Sequence, residues 1–133
     1  MVSRLVTILC LHPVAALGAV SQQPDSAART TSHGAYTVDQ ARSGAKIFKE
    51  ICANCHTPAQ FRDSTFLNSW KGRPVRDLFE LVRTQMPMDN PGGLRRTEYA
   101  DVLAYIFELN GLPPGDATLP SDDTQLRRIR IDK

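Results

Sequence analysis

Cys52, Cys55 and His56 form a C-x-x-C-H motif, and the spacing of these residues suits one kind of chemistry. Two thiols three positions apart lie on one face of a helical turn, so both can bond to the two vinyl groups along one edge of a haem. The histidine that follows can then offer an imidazole nitrogen to the iron. The motif therefore predicts one covalent haem c, attached through Cys52 and Cys55 and ligated by His56.

A zinc site is the alternative use of the same three residues. Thiolates and imidazole are good zinc ligands, but structural zinc sites have four ligands. The neighbouring sequence offers no fourth ligand. The haem interpretation is therefore preferred over the zinc interpretation.

The second iron ligand is expected in residues 85–94, where two prolines and two glycines exclude regular structure. A methionine thioether is an established sixth ligand of haem iron and raises the reduction potential. Pro87 favours an extended backbone at Met86, and in an extended segment residues 86 and 88 point to opposite sides. We therefore predict Met86 as the ligand and keep Met88 as the alternative. The remaining interpretation is that both are ordinary surface or core methionines.

Residues 57–73 carry large apolar side chains without regular spacing, which predicts a loop. Phe66 and Trp70 are predicted to line the haem, and the Trp70 indole N–H could donate to a haem propionate. Plain core packing is the alternative for both side chains.

Three helices that would position these groups are predicted from apolar periodicity, over residues 38–51, 74–84 and 96–110. The first runs directly into Cys52, so the haem motif is expected to form its last turn. Gly44 lies inside this helix. It either allows another helix to approach closely or is a tolerated surface glycine.

Residues 1–21 resemble a secretory leader, with Arg4 before an apolar run and small residues at its end. Cleavage is expected after Gly18 or after Ser21. The run is shorter than the roughly 20 apolar residues of a membrane span, so no stable span is expected once the leader is cleaved. If the leader is not cleaved, the protein would be tethered to the membrane.

The rest of the chain divides into three further parts. Residues 22–37 are polar and predict a flexible linker. Residues 38–112 form the expected domain. Residues 113–133 form a tail that is predicted to pack on this domain, with an extended stretch where Ile129 and Ile131 alternate with arginines.

The formal net charge of +2 comes from 16 basic and 14 acidic residues, and no basic stretch is interleaved with aromatic residues. Nucleic-acid binding is therefore not expected. With Cys10 in the leader and the other two cysteines in the haem motif, no disulfide framework is expected either.

These features together resemble class I c-type cytochromes over residues 38–112. Within that family, the chain is similar to a bacterial subgroup whose members often occur beside or fused to quinoprotein and other periplasmic dehydrogenases. The similarity rests on Met86-Pro87, on Pro91-Gly92-Gly93-Leu94, on residues 98–105 and on Asn110-Gly111-Leu112-Pro113. The tail from Leu119 to Ile131 is also similar to that subgroup. Two positions depart from the usual pattern. Arg95 replaces a capping serine, and Thr57 replaces the glycine after the haem-ligating histidine.

The resemblance implies an all-α cytochrome c fold, in which the first and last helices cross and loops enclose the haem. It implies His56 and Met86 as axial ligands. It also implies a periplasmic electron carrier or electron-transfer subunit and not an enzyme. Its partners would be a dehydrogenase as donor and an oxidase or another cytochrome as acceptor. The alternative is a protein that binds small ligands or acts as a peroxidase after Met86 is displaced from the iron.

Overall fold

The described part of the protein, residues 29–133 of a computed structural model, consists mainly of helices. In chain order the elements are β1 (Arg29–Thr30), α1 (Val38–Glu50), α2 (Ala59–Arg62), α3 (Ser64–Trp70), α4 (Val75–Gln85), α5 (Arg96–Leu109), α6 (Asp123–Arg127) and β2 (Ile129–Arg130). The predicted all-α class is confirmed. The predicted leader and the first residues of the predicted linker lie outside the described residues.

Helix α1 begins where the Thr37 side chain accepts a hydrogen bond from the Gln40 backbone N–H at 3.2 Å. This cap satisfies one of the N–H groups that a helix start leaves unpaired. Ala41, Gly44 and Phe48 are buried at intervals of three and four residues. The buried stripe confirms the predicted amphipathic helix and sets the face that packs on the rest of the domain.

The crossing of α1 and α5 is the most extensive contact between any two described elements. Gly44 lies at this crossing, because a Cβ atom there would overlap the Asp101 carbonyl and come within 2.9 Å of the Val102 nitrogen. Of the two interpretations of Gly44, the structure supports close helix approach. A side chain at this position would push the two helices apart.

The start of α5 is capped without a serine. The Glu98 carboxylate accepts hydrogen bonds from the Arg95 backbone N–H at 2.8 Å and from the Arg95 guanidinium at 2.9 Å. These bonds hold the pKa of Glu98 below its usual range. The unusual Arg95 is thus accommodated by an acidic residue one turn into the helix.

The prediction of a loop over residues 57–73 is wrong, because two short helices, α2 and α3, occupy most of it. Asp63 caps α3, accepting from the Thr65 backbone N–H at 2.8 Å. Helices of four and seven residues span two turns or fewer. They are therefore too short to show the apolar periodicity on which the prediction relied.

The prediction of a flexible linker is also wrong for its described part, residues 29–37. Thr31, Ala35 and Tyr36 are fully buried, and the Tyr36 hydroxyl donates to the Leu112 carbonyl at 2.6 Å. The polar composition of this segment did not indicate that Thr31 and Tyr36 bond to residues far along the sequence.

The C-terminal segment contacts the domain at several points. Strand β2 pairs in parallel with β1. Ile129 on this strand and Ile131 directly after it are buried. Further upstream, the Gln40 side-chain amide both donates to the Leu119 carbonyl at 3.0 Å and accepts from its N–H at 2.7 Å. Helix α6 was not predicted.

None of the helices in residues 29–133 has the length and apolar character of a membrane span.

Candidate functional site

The C-x-x-C-H motif lies in a tight turn directly after α1. The α1 helix ends at Glu50, and Cys52–Asn54 forms a separate 3₁₀ turn. The prediction that the motif forms the last turn of this helix is therefore wrong. Backbone N–H groups of Cys55 and His56 both donate to the Cys52 carbonyl, at 3.1 and 2.9 Å. The bonds of this turn fix the backbone positions from which both thiols and the imidazole project.

Both cysteines of the turn are free thiols, with Cys52 half-buried and Cys55 exposed. Burial raises the pKa of the Cys52 thiol, because a thiolate would lose hydration there. Two unpaired thiols in one turn, at least one of them open to solvent, are the groups that covalent haem attachment requires.

The His56 ring lies against a cluster of phenylalanine rings. Its centroid is 5.5 Å from that of Phe61, in an edge-to-face arrangement. Phe61 in turn contacts Phe66 at 5.3 Å and Phe48 at 5.7 Å, both edge to face. Within residues 29–133 the His56 ring has no hydrogen-bond partner, so its nitrogens are available to a ligand. An unengaged imidazole beside an apolar aromatic wall fits a flat, largely apolar group such as haem.

Several apolar side chains around the core are only partly covered by protein. They come from α1, from α2 to α4 and from the segment before α5, and they are Ile47, Phe61, Phe66, Val82 and Leu94. Partly exposed apolar surface favours binding of an apolar partner. Together with the free thiols and the unengaged imidazole, these side chains fit a covalently bound haem.

The zinc interpretation receives no support from the geometry. In the part of the chain that the structure describes, no three His, Cys, Asp or Glu side chains gather closely enough to hold a metal ion. Cys52, Cys55 and His56 therefore do not converge on one point, as zinc ligands must.

The two methionines differ in their surroundings. Met86 directly follows α4, has an extended backbone with φ −128° and ψ 149°, and is half-buried. Met88 is 76% exposed. The extended backbone at Met86 agrees with the effect expected of Pro87, whereas the choice of iron ligand stays a prediction.

Phe66 and Trp70 lie in different surroundings. Phe66 is linked to His56 through the ring of Phe61. Trp70 is buried in the core, with the Arg73 guanidinium 4.4 Å from its ring centroid. Their predicted contacts with haem stay predictions, and Phe61 is the aromatic residue that contacts His56.

Two polar side chains that support the site were not identified from the sequence. The Asn110 side chain donates to the Phe61 carbonyl at 2.6 Å and to the Ile106 carbonyl at 2.8 Å, which ties α2 to the end of α5. The Tyr99 hydroxyl donates to the Met86 carbonyl at 2.7 Å. For Tyr99 the sequence did offer a signal, since it is a tyrosine within an apolar helical stripe. A buried tyrosine hydroxyl usually finds a hydrogen-bond partner.

A family model described as "Cytochrome C oxidase, cbb3-type, subunit III" matches residues 39–106, just over half of the 133-residue chain. The match begins in α1 and ends in α5, so it includes Cys52, Cys55, His56 and Met86. Neither the curated proteins nor the solved structures contain a match to this chain.

Proposed function

Because the chain belongs to the cytochrome c family described as cbb3-type cytochrome c oxidase subunit III, and so carries covalent haem c for electron transfer, we propose that it is a periplasmic one-electron carrier with His56 and Met86 as axial ligands. Its donor would be a dehydrogenase, and its acceptor a component of a respiratory chain. The similarity of residues 86–113 to the dehydrogenase-associated cytochromes supports this choice of donor.

The haem supplies the redox chemistry, an iron that cycles between the ferrous and ferric states. The residues of the chain hold and enclose that group. Cys52 and Cys55 would tether it, and His56 and Met86 would ligate its iron. The phenylalanine cluster of Phe48, Phe61 and Phe66 would keep water from His56. No side chain of the site is required to accept or release a proton in this role.

One observation carries the proposal: the Cys52–His56 turn presents two free thiols and an unengaged imidazole beside an aromatic cluster. Met86 is half-buried, and as a second protein ligand it would leave no open position on the iron for a substrate. A closed iron site favours electron transfer over substrate chemistry.

The ligand part of the proposal is tested on protein produced in a host that attaches haem c. We expect a polypeptide that remains red on a denaturing gel, and a ferric spectrum with the long-wavelength sulfur-to-iron charge-transfer band. A high-spin ferric spectrum with rapid binding of cyanide would contradict Met86 ligation. It would favour the small-ligand or peroxidase alternative instead.

The partner part is tested by separate experiments. A dehydrogenase encoded near this gene should reduce the ferric protein rapidly when its substrate is added, and failure of every such dehydrogenase to do so would contradict the proposed donor. Fractionation of cells that express the full chain should place the mature protein in the periplasm. N-terminal sequencing of that protein should begin at Ala19 or Gln22, one for each of the two predicted cleavage sites.

A further inference from the structure

The loop from Met86 to Arg95 has few bonds of its own. Asn90 N–H donates to the Pro87 carbonyl and Gly93 N–H to the Asn90 carbonyl, each at 3.0 Å. The side chains from Met88 to Asn90 are exposed. Without further attachment, a segment with two prolines and two glycines would sample many conformations. The predicted iron ligand lies at its first residue.

One buried hydroxyl joins the two ends of this loop. The Tyr99 hydroxyl donates to the Met86 carbonyl at 2.7 Å and accepts from the Leu94 N–H at 3.4 Å. A phenol has one hydrogen to donate and lone pairs to accept, and here both capacities are used on the loop. The loop is therefore closed at both ends by a single atom.

The Tyr99 side chain is itself held rigidly. Only 1% of it is exposed, and its ring lies edge to face with Phe79 of α4 at 6.3 Å. It belongs to the first turn of α5, which Glu98 caps through Arg95. Because α4 ends directly before Met86, the ring and the hydroxyl of Tyr99 connect both helices that flank the loop.

We propose that Tyr99 is a positioning residue for the iron ligand, an inference that rests on the proposed ligation by Met86. Its hydroxyl restrains the Met86 backbone and so lowers the population in which the thioether has left the iron. The physical reason is entropic. A loop closed at residues 86 and 94 has fewer alternative conformations to gain when the sulfur dissociates.

The test is competition for the ferric iron by imidazole, measured on the haem-containing protein by loss of the charge-transfer band. An external ligand binds only the population from which Met86 has dissociated, so its apparent affinity reports that population. Tyr99→Phe keeps the ring and removes the hydroxyl. This variant loses the ordinary hydrogen bond to Met86 and the longer one from Leu94. We expect imidazole to bind about fivefold more tightly to it, because the shorter bond contributes most of the restraint.

Tyr36→Phe is the matched control. It also removes a buried phenol-to-carbonyl hydrogen bond, to Leu112 at 2.6 Å, but this bond lies outside the 86–95 loop. Its imidazole affinity should equal that of the unaltered protein even though its stability falls. Equal imidazole affinities for the Tyr99→Phe and Tyr36→Phe variants would overturn the proposal.

A second measurement needs no variant. Amide hydrogen exchange of the unaltered protein should show protection at Leu94, whose N–H donates to Tyr99, and not at Gly92, two residues earlier. Exchange at Leu94 as fast as at Gly92 would also overturn the inference. A failure of Met86 ligation is recognised separately, because the unaltered protein would then lack the charge-transfer band.

Discussion

Met86 and Met88 are two residues apart, yet only one of them is held by the rest of the protein. Met86 is half-buried and its carbonyl accepts the Tyr99 hydroxyl. Met88 is 76% exposed, which leaves its thioether in solvent. The difference in burial supports Met86 as the iron ligand.

Separate alanine variants test this choice of methionine. We expect Met86→Ala to lose the charge-transfer band and to lower the reduction potential, because the thioether ligand stabilises the ferrous state. Met88→Ala should keep both properties. Visible spectra and redox titration of the two proteins measure these outcomes, and the opposite pattern would identify Met88 as the ligand.

Tyr36 lies in the segment that was expected to be flexible, and its hydroxyl is completely buried. Burial, together with the nearby negative charge of Glu108, raises the pKa of Tyr36 to about 12. In the unfolded chain a tyrosine ionises near pH 10. The folded state therefore binds this proton more tightly than the unfolded state does.

The consequence is a loss of stability in alkali. The contribution of Tyr36 is complete below about pH 10 and falls as the pH rises from about 10 to about 12. Tyr36→Phe should remove this alkaline loss and cost about 1 kcal/mol at pH 7, where only the hydrogen bond to Leu112 is lost. Urea unfolding at pH 7 and above pH 10 measures both effects. Tyr105→Phe serves as the control and should keep the alkaline loss.

At the scale of elements, the domain depends on how closely α1 and α5 approach. The backbone of α5 at Asp101 and Val102 occupies the space that a side chain at position 44 would need. The two helices also carry the site, because α1 leads into the Cys52 turn and α5 provides Tyr99 and Asn110. The distance between them therefore affects both stability and site geometry.

Gly44→Ala tests this crossing. Alanine favours helix by about 1 kcal/mol over glycine in an exposed position, but overpacking a buried contact costs about 1–3 kcal/mol. Because the new methyl group would meet rigid backbone, we expect net destabilisation of about 1–2 kcal/mol in urea unfolding. Ser43→Ala, one residue away on the exposed side of α1, should change stability by less than about 0.5 kcal/mol.

At the scale of the whole molecule, the segment before the helical domain contacts the segment that follows it. Strands β1 and β2 pair, and the Thr31 hydroxyl donates to the Asp132 carbonyl at 2.8 Å. The loop between α3 and α4 joins them, since Gly72 N–H donates to the Ile131 carbonyl at 2.8 Å. The C-terminal segment is therefore an integral part of the fold.

Ile131→Ala should show how much this closure contributes. The Ile131 side chain is completely buried, and truncating a buried isoleucine to alanine costs about 2–5 kcal/mol. The neighbouring Arg130→Ala, on the exposed side of the strand, should cost less than about 1 kcal/mol. Thermal or urea unfolding of the two variants compares them directly, and similar losses would mean that the segment contributes little through its buried side.

Features that depend on short stretches of chain could be predicted from the sequence. The C-x-x-C-H spacing indicates haem attachment within five residues, and α1, α4 and α5 follow from apolar side chains three and four positions apart. The extended backbone at Met86 follows from the proline next to it. In each case the deciding interaction lies within about one or two helical turns.

The tertiary structure alone decided which distant groups meet. Tyr36 reaches Leu112 and Thr31 reaches Asp132 across most of the domain, so a segment of polar composition became buried. Gly44 faces the α5 backbone, and Tyr99 closes the loop that begins at Met86. Such pairings depend on how the helices pack, and no local pattern of residue types encodes them. The sequence by itself therefore determined the chemistry of the C-x-x-C-H turn, and tertiary packing decided how firmly the backbone of Met86, the predicted second ligand, is held.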